Sequence, residues 1–173
     1  MSEPIIPLSV AVLTISDTRN EETDTSGKTL VERLSSAGHH LVEKKIVPDD
    51  VYRIRAEVSA WIADPKVHVI LTNGGTGFAG RDSTPEAVSV LFDKHIEGFG
   101  ELFRQVSWDE IGSSTIQSRC LGGFANGTLI FCLPGSTGAC KTAWDKIICE
   151  QLDSRHLPCN YVNVLMPGKG AHA

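Results

Sequence analysis

The apolar run Val67-His68-Val69-Ile70-Leu71 leads through Thr72 and Asn73 into four glycines within seven residues, Gly74, Gly75, Gly77 and Gly80. Behind them, Ser83-Thr84-Pro85-Glu86 has the composition of a helix start, so the local order is strand, glycine loop, helix. Without a Cβ, such a loop takes positive φ freely and turns its N–H groups toward a ligand, and the positive end of the following helix favours an anion. Phosphate is the natural guest, and Asp82 beside the loop is a natural host for a divalent cation. Turn-making alone accounts poorly for Arg81-Asp82-Ser83-Thr84-Pro85-Glu86 behind the glycines, although an aspartate next to Arg81 can also be a solvent-exposed ion pair of little worth.

Two phosphate-binding patterns come close and fail on physical grounds. Gly75-Thr76-Gly77-Phe78-Ala79-Gly80 satisfies G-x-G-x-x-G, but a dinucleotide fingerprint starts its helix within the motif, which would put Pro85 in a helix interior at a cost of roughly 3 kcal/mol. A helix starting at Thr84 or Pro85 avoids that. Further on, Gly135-Ser136-Thr137-Gly138-Ala139-Cys140-Lys141-Thr142 approaches a P-loop, with Cys140 in the place of its second glycine.

The surrounding chain reads as alternating strands and helices. Leu8-Ser9-Val10-Ala11-Val12-Leu13-Thr14-Ile15 is apolar enough for a central strand covered on both faces. The polar stretch 16–27 leaves its carboxyl end, where α/β proteins bind ligands, and is either a functional loop or a floppy one. Leu30, Val31, Leu34 and Ala37 mark a helix closed by Gly38. A strand over 41–47 with two lysines belongs near an edge. Val51, Ile54, Val58, Trp61 and Ile62 then recur at helical spacing. One of Asp49 and Asp50 should cap that helix, leaving the other to face a ligand or solvent. Past the glycine loop, Ala87, Val90, Leu91 and Ile96 suggest a helix broken by Gly98 and Gly100, with a short helix over 99–106. Asn126-Gly127 between two apolar runs predicts a hairpin, and 139–152 a last long helix. This pattern predicts a three-layer α/β/α sandwich with a mostly parallel central sheet and a small β-hairpin. The loops 16–27, 73–82 and 134–137 should meet at its carboxyl edge.

At 173 residues the chain suits a single domain over 1–173, with a loose C-terminal tail over 158–173. A formal charge of −5 and the lack of a basic block argue against nucleic acid, and no apolar run is long enough for a membrane span. Five cysteines without CxxC spacing, and no signal peptide, predict a reduced cytoplasmic protein with structural thiols favoured over metal ligands.

Taken together, Leu13-Thr14-Ile15-Ser16-Asp17, Asp24-Thr25-Ser26-Gly27, Val47-Pro48-Asp49, Gly74-Gly75-Thr76-Gly77, Arg81-Asp82-Ser83-Thr84-Pro85-Glu86-Ala87, Gly98-Phe99-Gly100-Glu101 and Pro134-Gly135-Ser136 resemble the MoaB/Mog family of molybdenum cofactor biosynthesis proteins, relatives of the gephyrin G domain. The resemblance implies an adenylyltransferase, in which molybdopterin attacks Mg-ATP to give adenylyl-molybdopterin and pyrophosphate. It implies a homotrimer or homohexamer and, as a partner, the molybdenum-insertion protein. Asp49 and Asp82 match the family's catalytic carboxylates and would hold Mg2+; some MoaB proteins lack the first and look inactive, so a non-catalytic molybdopterin-binding protein is the alternative. By the same resemblance, Gly74, Gly75, Thr76 and Gly77 would grip phosphate. Ser16, Asp17, Asp24, Ser26, Arg81, Pro134, Gly135 and Ser136 would line the nucleotide or pterin pockets.

Overall fold

A computed structural model describes residues 3–169. In chain order its elements are β1 (Ser9–Ile15), α1 (Thr25–Ser36), β2 (His40–Val47), α2 (Val51–Ala63), β3 (Val69–Asn73), α3 (Thr84–Val88), β4 (Lys94–His95), α4 (Glu97–Ile111), β5 (Leu121–Ala125), β6 (Thr128–Leu133), α5 (Thr137–Ala143), α6 (Cys149–Gln151) and α7 (Val162–Leu165). A π-helical turn, Trp144–Ile148, joins α5 to α6.

The six strands form one sheet in the order β2-β1-β3-β6-β5-β4. The first four run parallel, while β5 is antiparallel to β6 and β4 to β5. The parallel strands β1, β3 and β6 are buried almost throughout, which their near-continuous apolar sequence requires, whereas the lysine-bearing β2 lies at an edge. Alternate residues divide the core in two. Val10, Val12, Val69 and Leu71 face α1, α4 and α5 through Leu30, Leu34, Phe99, Phe103 and Ala143. Ala11, Leu13, Ile15 and Ile70 face α2 and α3 through Ile54, Val58, Trp61 and Val88. Helices therefore cover both faces of a mixed, mostly parallel sheet, as the strand and helix pattern predicts. The Asn126-Gly127 turn has φ of 49° and 77°, and joins β5 to β6 as the hairpin requires.

The chain leaves β1 toward β2 and returns to β3 on the other side, so the connections diverge at the carboxyl ends of β1 and β3. There a crevice opens, because neighbouring loops turn away to opposite faces.

Three expectations need correction. Gly98 and Gly100 do not break a helix; they lie in the first turns of the 15-residue α4. At Gly100 a Cβ would sit 2.9 Å from the Cys120 carbonyl oxygen, so glycine is what lets α4 approach the chain entering β5. The helix after the glycine loop is only five residues long and gives way to a 3-10 turn at Ser89–Leu91, leaving Val90 exposed. The tail expected to be loose over 158–173 is anchored in its middle, where Val162 is fully buried and the Tyr161 ring lies 5.4 Å from that of Phe124, while Cys159 and residues 167–169 are exposed and 170–173 lie outside the described residues.

Candidate active site

A cleft of about 750 Å³ opens at the carboxyl ends of β1, β3 and β6. Its floor comes from the strand ends: Thr14 on β1 is in register with Asn73 on β3, which is in register with Leu133 on β6. Ser16, Asp17, Gly74, Gly75, Thr76, Gly77, Arg81, Asp82, Pro134, Gly135 and Ser136 line it, with Asp49 arriving from the end of β2. All three polar loops thus converge on the cleft.

Backbone crowding explains the first two glycines. Gly74 has φ of +100°, and a Cβ there would lie 2.1 Å from the Ile15 carbonyl oxygen; Gly75 has φ of +67°. The loop is also tied back on itself, since the Thr84 amide donates to the Gly75 carbonyl and the Thr84 hydroxyl to that of Gly74. Only then does α3 begin, with Pro85 in its first turn, so the glycines precede the helix and the dinucleotide fingerprint is not formed. A helix this short adds little field, and the loop amides, not the helix end, are the anion donors on offer.

Asp50 caps α2 by accepting from the Tyr52 and Arg53 amides, which leaves Asp49 to the cleft. One oxygen of Asp49, Oδ1, accepts from the Ser83 hydroxyl at 2.6 Å and its amide at 3.2 Å. Burial pushes the Asp49 carboxyl up, the two Ser83 bonds oppose this, and the negative charges of Asp82 and Asp17 add to it. Asp82 accepts from the Ala79 amide through Oδ2. Arg81 does not pair with Asp82: its Nε donates to Asp17 Oδ2 at 2.6 Å and its Nη2 to the Asp49 carbonyl. That guanidinium, followed by the Asp49 amide, holds the Asp17 carboxyl below the usual range.

Asp24 and Ser26 do not line the cleft; both are fully buried beneath it. Asp24 caps α1 through the Gly27 amide, accepts from the Thr14 hydroxyl at 2.8 Å and meets the Lys44 ammonium at 2.8 Å. Ser26 donates to Asn73 Oδ1, and Asn73 Nδ2 donates to Thr14. These side chains fix the floor that Thr14 and Asn73 present.

Sequence reasoning missed the wall opposite, formed by Phe103, Ser107, Glu110 and Ile111 of α4, the Arg19 side chain that joins the lining, and Arg119, which does not line the cleft but binds the Gly77 carbonyl of the glycine loop. Reading 99–106 as a short helix hid that wall, and no local pattern marks Arg119, whose side-chain partners Gly77, Asp82 and Glu86 lie over thirty residues away.

Among the described residues, no group of three His, Cys, Asp or Glu is arranged to hold a metal. Two carboxylates suffice for Mg2+ when substrate phosphates and water supply the remaining oxygens, and Asp49 and Asp82 both line this cleft.

The family model described as probable molybdopterin binding domain matches residues 11–154. Molybdenum cofactor biosynthesis protein B of Escherichia coli strain K12 is 55% identical over 161 residues, spanning 93% of this chain and 95% of that relative. The protein of the same name from Bacillus cereus is 50% identical over 142 residues, spanning 82% and 84%. The chain belongs to the MoaB/Mog family. A crystal structure of molybdenum cofactor biosynthesis protein B superposes with a TM-score of 0.84 at 48% identity, over 87% of this chain and 94% of that one. Family membership places the chain among the proteins of molybdenum cofactor biosynthesis.

Proposed function

We propose that the chain transfers an adenylyl group from Mg-ATP to molybdopterin. The observation that carries this reading is the convergence of Asp49 and Asp82 on one cleft that also holds the glycine-loop amides. Adenylyl transfer needs little covalent help from a protein, and mostly a rigid cradle that aligns the nucleophile and offsets phosphate charge. A terminal phosphate oxygen of molybdopterin attacks the α-phosphorus of ATP, a P–O bond forms, the bond to the bridging oxygen breaks, and pyrophosphate leaves. The Gly74 amide is spent on the Leu133 carbonyl, so the amides of residues 75–77 grip phosphate oxygens, and Ser16 and Ser136 line the cleft to bind the substrates. Ser83 holds one oxygen of Asp49 and the Ala79 amide one of Asp82, so Asp49 Oδ2 and Asp82 Oδ1 would hold Mg2+, which when bound would neutralise phosphate charge.

The same reading makes the protein a cytoplasmic homotrimer or homohexamer that passes its product to the molybdenum-insertion protein. Trp108, Ile111 and Ile116, exposed about the end of α4, are apolar surface that such an assembly would cover.

Incubation with molybdopterin, Mg2+ and ATP, followed by chromatography, is expected to yield adenylyl-molybdopterin and pyrophosphate with wild type and neither with Asp82→Ala. Absence of product from wild type would overturn the reading, and tight pterin binding in that case would identify a non-catalytic molybdopterin-binding protein.

A further inference from the structure

We propose that Arg119 is a positioning residue which holds Asp49 and Asp82 in mutual register by acting on the Asp82–Ser83 peptide. This deepens the adenylyl-transfer reading and rests on it. Arg119 sits just before β5, outside every loop that forms the cleft's carboxyl edge. Its backbone amide donates to the Thr76 carbonyl at 3.1 Å. Its Nε and Nη2 both donate to the Gly77 carbonyl, at 2.9 and 2.6 Å, and Nη2 reaches the Asp82 carbonyl at 3.2 Å. Nη1 pairs with Glu86, and the guanidinium lies 5.1 Å above the Phe78 ring. One side chain therefore clasps both ends of the glycine loop, residues 76–77 and 82–86.

The peptide after Asp82 turns this clasp into something more than loop stability. Its carbonyl faces Arg119, and its N–H, on the opposite side of a trans peptide plane, donates to Asp49 Oδ1 at 3.2 Å. Arginine, peptide and carboxylate form a relay: the guanidinium polarises the carbonyl, which strengthens the amide as a donor to Asp49. The same plane fixes the Asp82 backbone, whose side chain is packed so closely on Gly77 that a Cβ there would be 2.7 Å from Asp82 Oδ2. Arg119 thereby sets both carboxylates without touching a substrate. Lysine is no substitute, since a point charge lacks the planar fork that engages two carbonyls and a carboxylate together.

The test compares wild type with Arg119→Lys and Arg119→Gln by hydrogen exchange at the Ser83 amide, Mn2+ binding followed by electron paramagnetic resonance, and adenylyl transfer. In both variants Ser83 exchange should rise and Mn2+ affinity should fall, each by about tenfold, with circular dichroism unchanged. The kcat should fall about tenfold while KM for ATP changes less than about threefold, and lysine should not rescue it. Unchanged Ser83 exchange and Mn2+ affinity in a folded variant overturn the proposal. If neither variant folds, wild type decides: its Ser83 amide must exchange more slowly than that of Gly80, and equal rates overturn the proposal. A wild type that forms no product counts against the proposed function, while Ser83 exchange still judges Arg119.

Discussion

Asp50 accepts the Tyr52 and Arg53 amides at the start of α2, and its neighbour Asp49 thereby enters the cleft, where Ser83 holds it. Adjacent, chemically identical side chains thus do separable jobs. Asp50→Ala is expected to lower stability by about 1 kcal/mol, the usual worth of a cap, with adenylyl transfer retained. Asp49→Asn is expected to keep most of the stability and lose activity by about a hundredfold or more. Urea unfolding set beside product formation checks both; equal effects of the two substitutions on both readouts would refute the division.

The Asp24–Lys44 pair ties an α1 cap to edge strand β2. Burial alone would push the Asp24 carboxyl up, but the Lys44 ammonium, the Gly27 amide and the Thr14 hydroxyl together hold it below the ordinary aspartate value of 3.8. A depressed carboxylate contributes stability that is complete above 3.8 and is lost as pH falls through the lower folded value. Asp24→Ala should remove that acid dependence. It should also cost about 3 kcal/mol at neutral pH, because it removes the α1 cap and leaves a lysine side chain that is only 12% exposed with the exposed Glu21 as its remaining partner. Replacing Lys44 by methionine in the same chain should recover part of the loss. Urea midpoints across the acid range and at pH 7 measure both effects; an unchanged acid limb in Asp24→Ala would show that the pair does not govern it.

Much of the fold and part of the site are readable in the residues themselves. The apolar runs of β1 and β3, the Asn126-Gly127 turn and the helix start at Pro85 each carry a local physical signal, and each stands as expected. The Asp49 and Asp50 pair could be narrowed to one cap and one spare, since capping consumes a single carboxylate. Burial of Asp24 and Ser26 was not legible, because a polar run looks the same whether it lines a cleft or lies beneath one. Nor was α4: Gly98 and Gly100 signal a break by propensity, and the close approach of the Cys120 carbonyl, which accounts for glycine at position 100, is a tertiary contact that no local pattern shows.

The cysteines differ in a way that labelling can read. Burial pushes the Cys132 and Cys140 thiols up to about 12 and raises that of Cys120 as well. Cys149 is half-buried and its thiol is also raised by burial, while Cys159 is exposed. Because the thiolate is the reactive species, a thiol reagent at pH 8 is expected to label Cys159 fast, Cys149 slowly, and the other three only on unfolding. Peptide mass spectrometry assigns the order. Rapid labelling of Cys132 would mean that the β3–β6 core opens in the native protein.

Gly75 is the point at which backbone conformation and carboxylate chemistry meet. At its φ of +67° an alanine would cost about 1–2 kcal/mol in strain alone. Its Cβ would also lie 2.4 Å from Thr84 Oγ1, which donates to the Gly74 carbonyl, and 2.8 Å from Asp49 Oδ2. Relief must therefore move the loop, the carboxylate or both. Gly75→Ala is expected to lower kcat by at least about a hundredfold, more than its stability loss explains. Gly80→Ala provides the contrast, since a Cβ there meets nothing within 4 Å and both activity and stability should be retained. Steady-state kinetics and thermal unfolding of the two variants decide the matter. A Gly75→Ala enzyme with full activity would mean that Asp49 has room to retreat, and its fixed position could not then be what the cleft relies on.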